Sequence, residues 1–394
     1  AKADVALEQI DQDLIQSGSV RKDMTYRGQE VRIYTPERKP GQLKIEQVVI
    51  TLSDERIIAA DRDSVVTDVL DAIAGEPKGS SISTVPEFKA VLTRAGKAMR
   101  KPLASGGGAI AGEWFARPFQ MGRILRETFD VDRGNDIDIL KLLEKQGFDA
   151  IKAAGGVAAL SGERFDVVHS AFVLAPATTD LPSKYELAAR MLQLVNSPRQ
   201  PIPEWVGDTA ASFNRLHVRI EEAFWASESL IDEAMGDEIF RPMINGIAKD
   251  EDGPQIDLEN NVLPNLDDQI ILLTDNTEPV GESSERMLVA IRVRDGEKVK
   301  QAIRKAMEVE PDTTKLDVVP GVDIWRVEPG QGDESFDSEA FDDLVDLGFD
   351  DDIEEPPPLL QHWAIALVDQ GKGSTAPYLM FSSHSELLIE TVRR

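Results

Sequence analysis

Apolar side chains at Ala6, Ile10 and Leu14 recur at the spacing of one helical face, and the pattern then turns to alternation. The change comes near "GQEVRIYTP" (Gly28 to Pro36), which reads as a strand entered from a turn and closed by proline. From Val48, "VVITLSDERIIAADRDSVVTDVLDAI" predicts two strands about a Ser53-Asp54 turn, then a helix. The same succession is written again toward the other end. Val299, Ile303 and Met307 mark a helix and "GVDIWRVEP" (Gly321 to Pro329) a strand. "WAIALVDQ" and "PYLMFSSHSELLIETVRR" then give two more strands and a last helix, which Ser383 and Glu386, at capping-box spacing, start near Ser385. An ungapped match through Gly28 and Gly321 sets Ile10 on Ile303 and Leu14 on Met307. We therefore expect an internal repeat, copy one at 4–75 and copy two at 297–394, with both glycines at bends where a Cβ is costly.

Between the copies, Val157 to Pro176 alternates as a hairpin about a Ser-Gly turn, and "KYELAARMLQLV" (Lys184 to Val195) predicts a helix begun near Ser183. A strand is expected around Thr209 to Leu216, a long helix from Arg219 to Gly236, and a hairpin from "QIILLTD" (Gln269 to Asp275) and "RMLVAIRVRD" (Arg286 to Asp295). These elements predict an α+β class, antiparallel sheets with helices packed on one face, and two related modules joined by a helix-rich middle region. The expected divisions are 1–176, a first α+β module; 177–265, a connecting region; and 266–394, a second α+β module. Copy one opens directly on its helix and copy two closes directly on its last one, which suggests a larger tandem array.

Charge narrows the partners. Lys and Arg number 43 against 71 Asp and Glu, a formal charge of -28, which repels nucleic-acid phosphates and anionic bilayers. No apolar run approaches the ~20 residues of a membrane-spanning helix, so no direct membrane insertion by this segment is expected. The absence of cysteine removes disulfides, thiolate metal sites and thiol nucleophiles together.

Several blocks, "QGFDAIKAAGGVAALSGERFDVVHSAFVLAP", "KYELAARMLQLVNS", "GPQIDLENNVLPNL" and "SERMLVAIRVRDGEKVKQAI", resemble segments of large exported bacterial proteins built from tandem domains of unknown function. The resemblance implies an extracytoplasmic location, periplasmic, envelope or secreted, and a larger parent chain. It brings no catalytic residues with it.

Candidate chemistry is sparse. Asp333 to Glu355 holds twelve carboxylates and no Lys or Arg, within an acidic insertion at 333–358. Its spacing lacks the glycine turn and terminal glutamate of a calcium loop, so a solvated surface insertion is the expectation. In "DVDRGNDIDILK", Asp130, Asp132, Asp136 and Asp138 fall at calcium-loop positions, but Asn135 replaces the turn glycine and Lys141 the bidentate glutamate. That arrangement favours a helix N-terminus over a Ca²⁺ site. "SGGGAIAGEW" has relaxed dinucleotide spacing without the strand and helix that such a fingerprint needs. His169, His217, His362 and His384 make no zinc pattern, and Ser382, Ser383 and Ser385 beside His384 read as helix capping rather than an activated hydroxyl. No catalytic residue and no cofactor is predicted. The leading expectation is a non-catalytic extracytoplasmic structural or protein-interaction module, with a protein or envelope component as partner. A carboxylate-based hydrolase or carbohydrate-active enzyme and a calcium-dependent adhesion module are the alternatives.

Overall fold

The computed structural model describes residues 2–37, 46–54, 56–104, 110–129, 138–160, 167–180, 183–249, 255–281, 284–310, 312–328, 363–369 and 376–394. The acidic insertion, the glycine run at 105–109, His362 and Asp130, Asp132 and Asp136 lie outside these residues. The class is α+β with three antiparallel sheets, and the chain divides into two compact units, Ala1–Asp132 with Ile151–Ala175, and Arg133–Ala150 with Pro176–Arg394.

The first unit begins with α1 (Lys2–Gln16), β1 (Val20–Tyr26), β2 (Gln29–Thr35), β3 (Val48–Ser53), β4 (Arg56–Ala60) and α2 (Asp63–Ile73). The strands form a meander in the order β1-β2-β3-β4. Alternation along the strands sends side chains to both faces. Val31, Ile33 and Val49 pack against Val66 and Leu70 of α2, while Tyr34 and Ile50 pack against Leu7, Ile10 and Leu14 of α1. The expected arrangement of helices on one face is therefore corrected: this sheet is covered on both, because its central strands are apolar at consecutive positions. On α1 the inward residue is Leu7, and Ala6 is exposed.

The same unit contains α3 (Pro86–Ala104), β5 (Ile110–Ala116), α4 (Pro118–Phe129), β6 (Ala153–Leu160) and β7 (Val167–Leu174), with the sheet order β5-β6-β7. Ala95 and Met99 of α3 close one face of that sheet over Val157 and Ala159.

The second unit contains α5 (Ile139–Lys145), β8 (Ser212–His217), α6 (Ile220–Met235), α7 (Phe240–Lys249), β9 (Leu266–Asn276), β10 (Glu285–Val293), α8 (Gly296–Val309), β11 (Thr313–Leu316), β12 (Ile324–Val327), β13 (Trp363–Val368), β14 (Tyr378–Ser382) and α9 (Ser385–Arg393). Its seven strands run β11-β12-β13-β14-β10-β9-β8. Here too both faces are covered. Val299 and Met307 of α8 join Trp325, Val327 and Ile365, and Leu387 and Leu388 of α9 join Ile324, Ala366, Met380 and Leu288 on the other side. Residues 177–265, expected as a connection, lie in this unit and supply the sheet's outermost strand, β8. The helix expected at Lys184 to Val195 is a 3-10 run at Leu187–Leu192, since Ser183 gives its hydroxyl to the Tyr185 carbonyl instead of capping. The long α6 ends where expected, at Gly236 in the left-handed region with φ of 71°.

Among the described residues, 2–73 and 296–393 thus share one order of elements: a helix, a four-stranded antiparallel meander and a helix. Gly28 and Gly321 both lie in turns that lead into the second strand, at φ of 76° and 81°. The turns differ in length. Arg27 and Gly28 alone close β1 onto β2, with Tyr26 paired to Gln29, whereas β11 meets β12 with Leu316 paired to Ile324.

Candidate interaction face

Among the described residues, a helix covers one face of the three-stranded sheet and none covers the other. Its other face is set by the residues that alternate away from α3: Gly112, Trp114 and Ala116 on β5, Ala154, Gly156, Ala158 and Leu160 on β6, and Val167, His169, Ala171 and Val173 on β7. None of these is charged, in a chain whose formal charge is -28. Trp114 is 43% exposed, and Leu160, Val167 and Val173 are each more than half exposed.

Two adjacent glycines explain how this face is built. A Cβ on Gly155 would lie 2.7 Å from Val91 Cγ1 and from the Trp114 carbonyl, so that position lets α3 approach the sheet. A Cβ on Gly156 would lie 2.7 Å from Trp114 Nε1 and 2.8 Å from His169 Nε2, so that position lets the two rings meet across the central strand. Trp114 Nε1 donates to His169 Nε2 at 2.8 Å, with the rings stacked at 26°. The indole is thereby held flat on the sheet, an ordered aromatic surface with its N–H already satisfied. His169 thus packs across the sheet, reaching Trp114 two strands away over the glycine between them.

Several charged side chains elsewhere form clusters in which arginines bridge carboxylates. Tyr34 Oη donates to Asp11 Oδ1 at 2.5 Å, and Arg21 Nη1 donates to the same oxygen at 2.7 Å. The Tyr34 bond, reinforced by Arg21 and Arg32, holds the Asp11 carboxyl below its ordinary range. Burial and the same bond push the Tyr34 phenol up to about 12. Asp71, buried on α2, accepts from Arg27 and Tyr26 and is likewise lowered. In the second unit Arg286 binds Asp275 through two bonds, 2.8 Å from Nε to Oδ1 and 2.7 Å from Nη2 to Oδ2, and reaches Glu390 at 3.3 Å.

These clusters bear on the carboxylate chemistry weighed from sequence. Asp275 and Glu390 line a shallow cleft of about 320 Å³, with its open mouth included, but Arg286 bridges the pair. Both carboxylates bind the Arg286 guanidinium, Asp275 buried and Glu390 half exposed. Among the described residues no group of His, Asp and Glu has metal-ligand geometry. Asp138 accepts from the Lys141 backbone at 2.9 Å as the N-cap of α5, the helix-start role expected of it.

The serines near His384 bond mainly to the backbone, although Ser383 Oγ also lies 2.9 Å from His384 Nδ1. Ser383 Oγ accepts from the Met287 backbone N–H at 2.8 Å, and Ser382 Oγ donates to the His384 carbonyl at 2.8 Å. The last helix does begin at Ser385, but the Ser383 hydroxyl ties it to β10 rather than capping it. Searches for relatives find no match. Neither a protein-family model, nor a curated protein, nor a solved structure aligns with this chain.

Proposed function

We propose that this chain is a non-catalytic interaction module of a larger exported bacterial protein, and that the uncharged face of β5, β6 and β7 is its contact surface. One observation carries the reading: large apolar side chains stand exposed together around Trp114, on a sheet face that no helix covers among the described residues. The occupant is a protein surface offering apolar side chains. The overall charge disfavours nucleic acid and anionic lipid, and the face has no cation to hold either. The internally paired carboxylates and the backbone-bound serines support a structural role for the remaining polar groups. The extracytoplasmic setting rests on the resemblance of the sequence blocks.

The test is site-specific photocrosslinking in producing cells from position 171 of the parent protein, followed by fractionation. A single envelope protein crosslinked in stoichiometric amount, and lost when Trp114 is changed to Asp, supports the reading. Crosslinks that are diffuse, or that survive Trp114→Asp in a folded protein, would remove the face from consideration.

A further inference from the structure

The two meanders differ at one edge. In the second sheet β14 is interior, paired with β13 on one side and with β10 on the other, from Leu288↔Ser382 to Arg292↔Tyr378. In the first sheet the strand at the same place, β4, pairs with β3, and among the described residues no strand lies on its other side.

The helices that follow repeat the contrast residue by residue. Each begins after a two-residue link, Asp61-Arg62 or Ser383-His384, so Val66 stands where Leu388 does, and both are fully buried. One position earlier, Val65 stands for Leu387; three positions later, Val69 stands for Thr391. Leu387 and Thr391 are 7% and 5% exposed, in a helix that packs over β13, β14 and β10. Val65 and Val69 are 44% and 37% exposed, in a helix that packs over β3 and β4. With Ile73 they form an i, i+4, i+8 apolar stripe; its first two positions match Leu387 and Thr391, in the helix that packs over the extra strand. The edge itself, "RIIAA", keeps an unbroken register with β3. Its guards are its short length and the charge of Arg56, and no proline, lysine or bulge in its five residues blocks a further strand.

We propose that the outer edge of β4, roofed by Val65, Val69 and Ile73, is the seat of one further antiparallel strand of the β10 kind, carried on the N-terminal side of α1. The connection follows from the second sheet, where the strand in that seat enters α8 through Arg294 and Asp295 alone. The place of α8 over its sheet is that of α1 over the first. An incoming strand takes its main-chain bonds from the edge and its specificity from alternation, with apolar residues where Leu288 and Ala290 face α9. This seat is a different surface from the open sheet face and stands independently of it.

The test is to fuse the sequence Leu266–Arg294 directly ahead of Lys2 in the full chain and follow native-state hydrogen exchange. The amides of Arg56–Ala60 are expected to exchange at least about tenfold more slowly than in the unfused chain, with β14 unchanged. Val65→Asp with Val69→Asp in the fusion should return β4 to its unfused rate while β2 and β3 stay protected, which separates loss of the seat from loss of the fold. An unaltered rate at β4 after fusion would overturn the proposal. So would slow exchange at β4 in an unfused chain that sediments as a dimer, because a second copy would then own the edge.

Discussion

Among the described residues the meanders of the two units share one order of elements, yet the second lies within a wider sheet and the first has an open edge at β4. The difference shows how neighbours, rather than local sequence, decide burial. "RIIAA" and "YLMFS" are both β-rich strands followed by a helix, but Leu379 and Met380 are buried whereas Ile57 is exposed. The extra strand β10 accounts for the contrast, since it extends the floor beneath α9 and has no counterpart beneath α2 among the described residues.

The largest effect is expected where the wider sheet buries charge. Arg286→Ala leaves Asp275 buried without its bidentate partner, and should cost the second unit about 3–5 kcal/mol in urea unfolding. Asp11→Ala in the first meander should cost less, about 1–3 kcal/mol, because Arg21 and Arg32 keep Glu30 and the loss is mainly that of the Tyr34 partner. Equal losses would show that the two clusters carry the same burden despite their different surroundings.

Equivalent helix positions sharpen the comparison. Leu387→Ala should destabilise by about 2–4 kcal/mol, by lost transfer energy and a cavity against Leu288 and Leu273. Val65→Ala, at the matching but exposed position, should stay within about 0.5 kcal/mol. A large loss at Val65 would mean that α2 already rests on something at that flank.

Smaller effects should appear with pH. The Tyr34 phenol is raised to about 12 from an ordinary value near 10, so its contribution is complete below pH ~10 and is lost as pH climbs toward 12. Tyr34→Phe should flatten that alkaline loss in the first unit, followed by circular dichroism. Asp11 and Asp71 have lowered pKa values. Their contribution is present above the ordinary carboxylate range and fades as pH falls through and below it. Among the described residues of the second meander only Asp323 is lowered, by Lys315 and Arg304, so the described carboxylates of the first should lose more on acidification.

Much of this architecture was legible in the sequence, for definite reasons. The helical spacing of Ile10 and Leu14, the glycines at positions 28 and 321, and the strand runs at Val48 and Trp363 are local signals, and they place the elements well. The covering of the sheets was not legible, because Ile33 and Tyr34 or Ile324 and Trp325 are consecutive apolar residues that periodicity cannot assign to one face or two. The helix expected at Lys184 failed for a related reason, since its apolar spacing serves a 3-10 run. Of the interaction face, the alternation of β7 was readable. The meeting of Trp114 with His169 was not, because it depends on β5 and β7 flanking the glycine pair of β6, a long-range pairing with no local mark beyond "AGGVAA".

The central claim, one meander plan with its edge filled in one unit and open in the other, is tested most directly by native-state hydrogen exchange of the unmodified chain. The account predicts that the β14 amides at Tyr378–Ser382, paired on both sides, exchange on the timescale of unfolding of their unit. It predicts that the outward amides of Arg56–Ala60 exchange orders of magnitude faster while β2 and β3 remain protected. Equally slow exchange in β4 and β14, in a monomer, would contradict it.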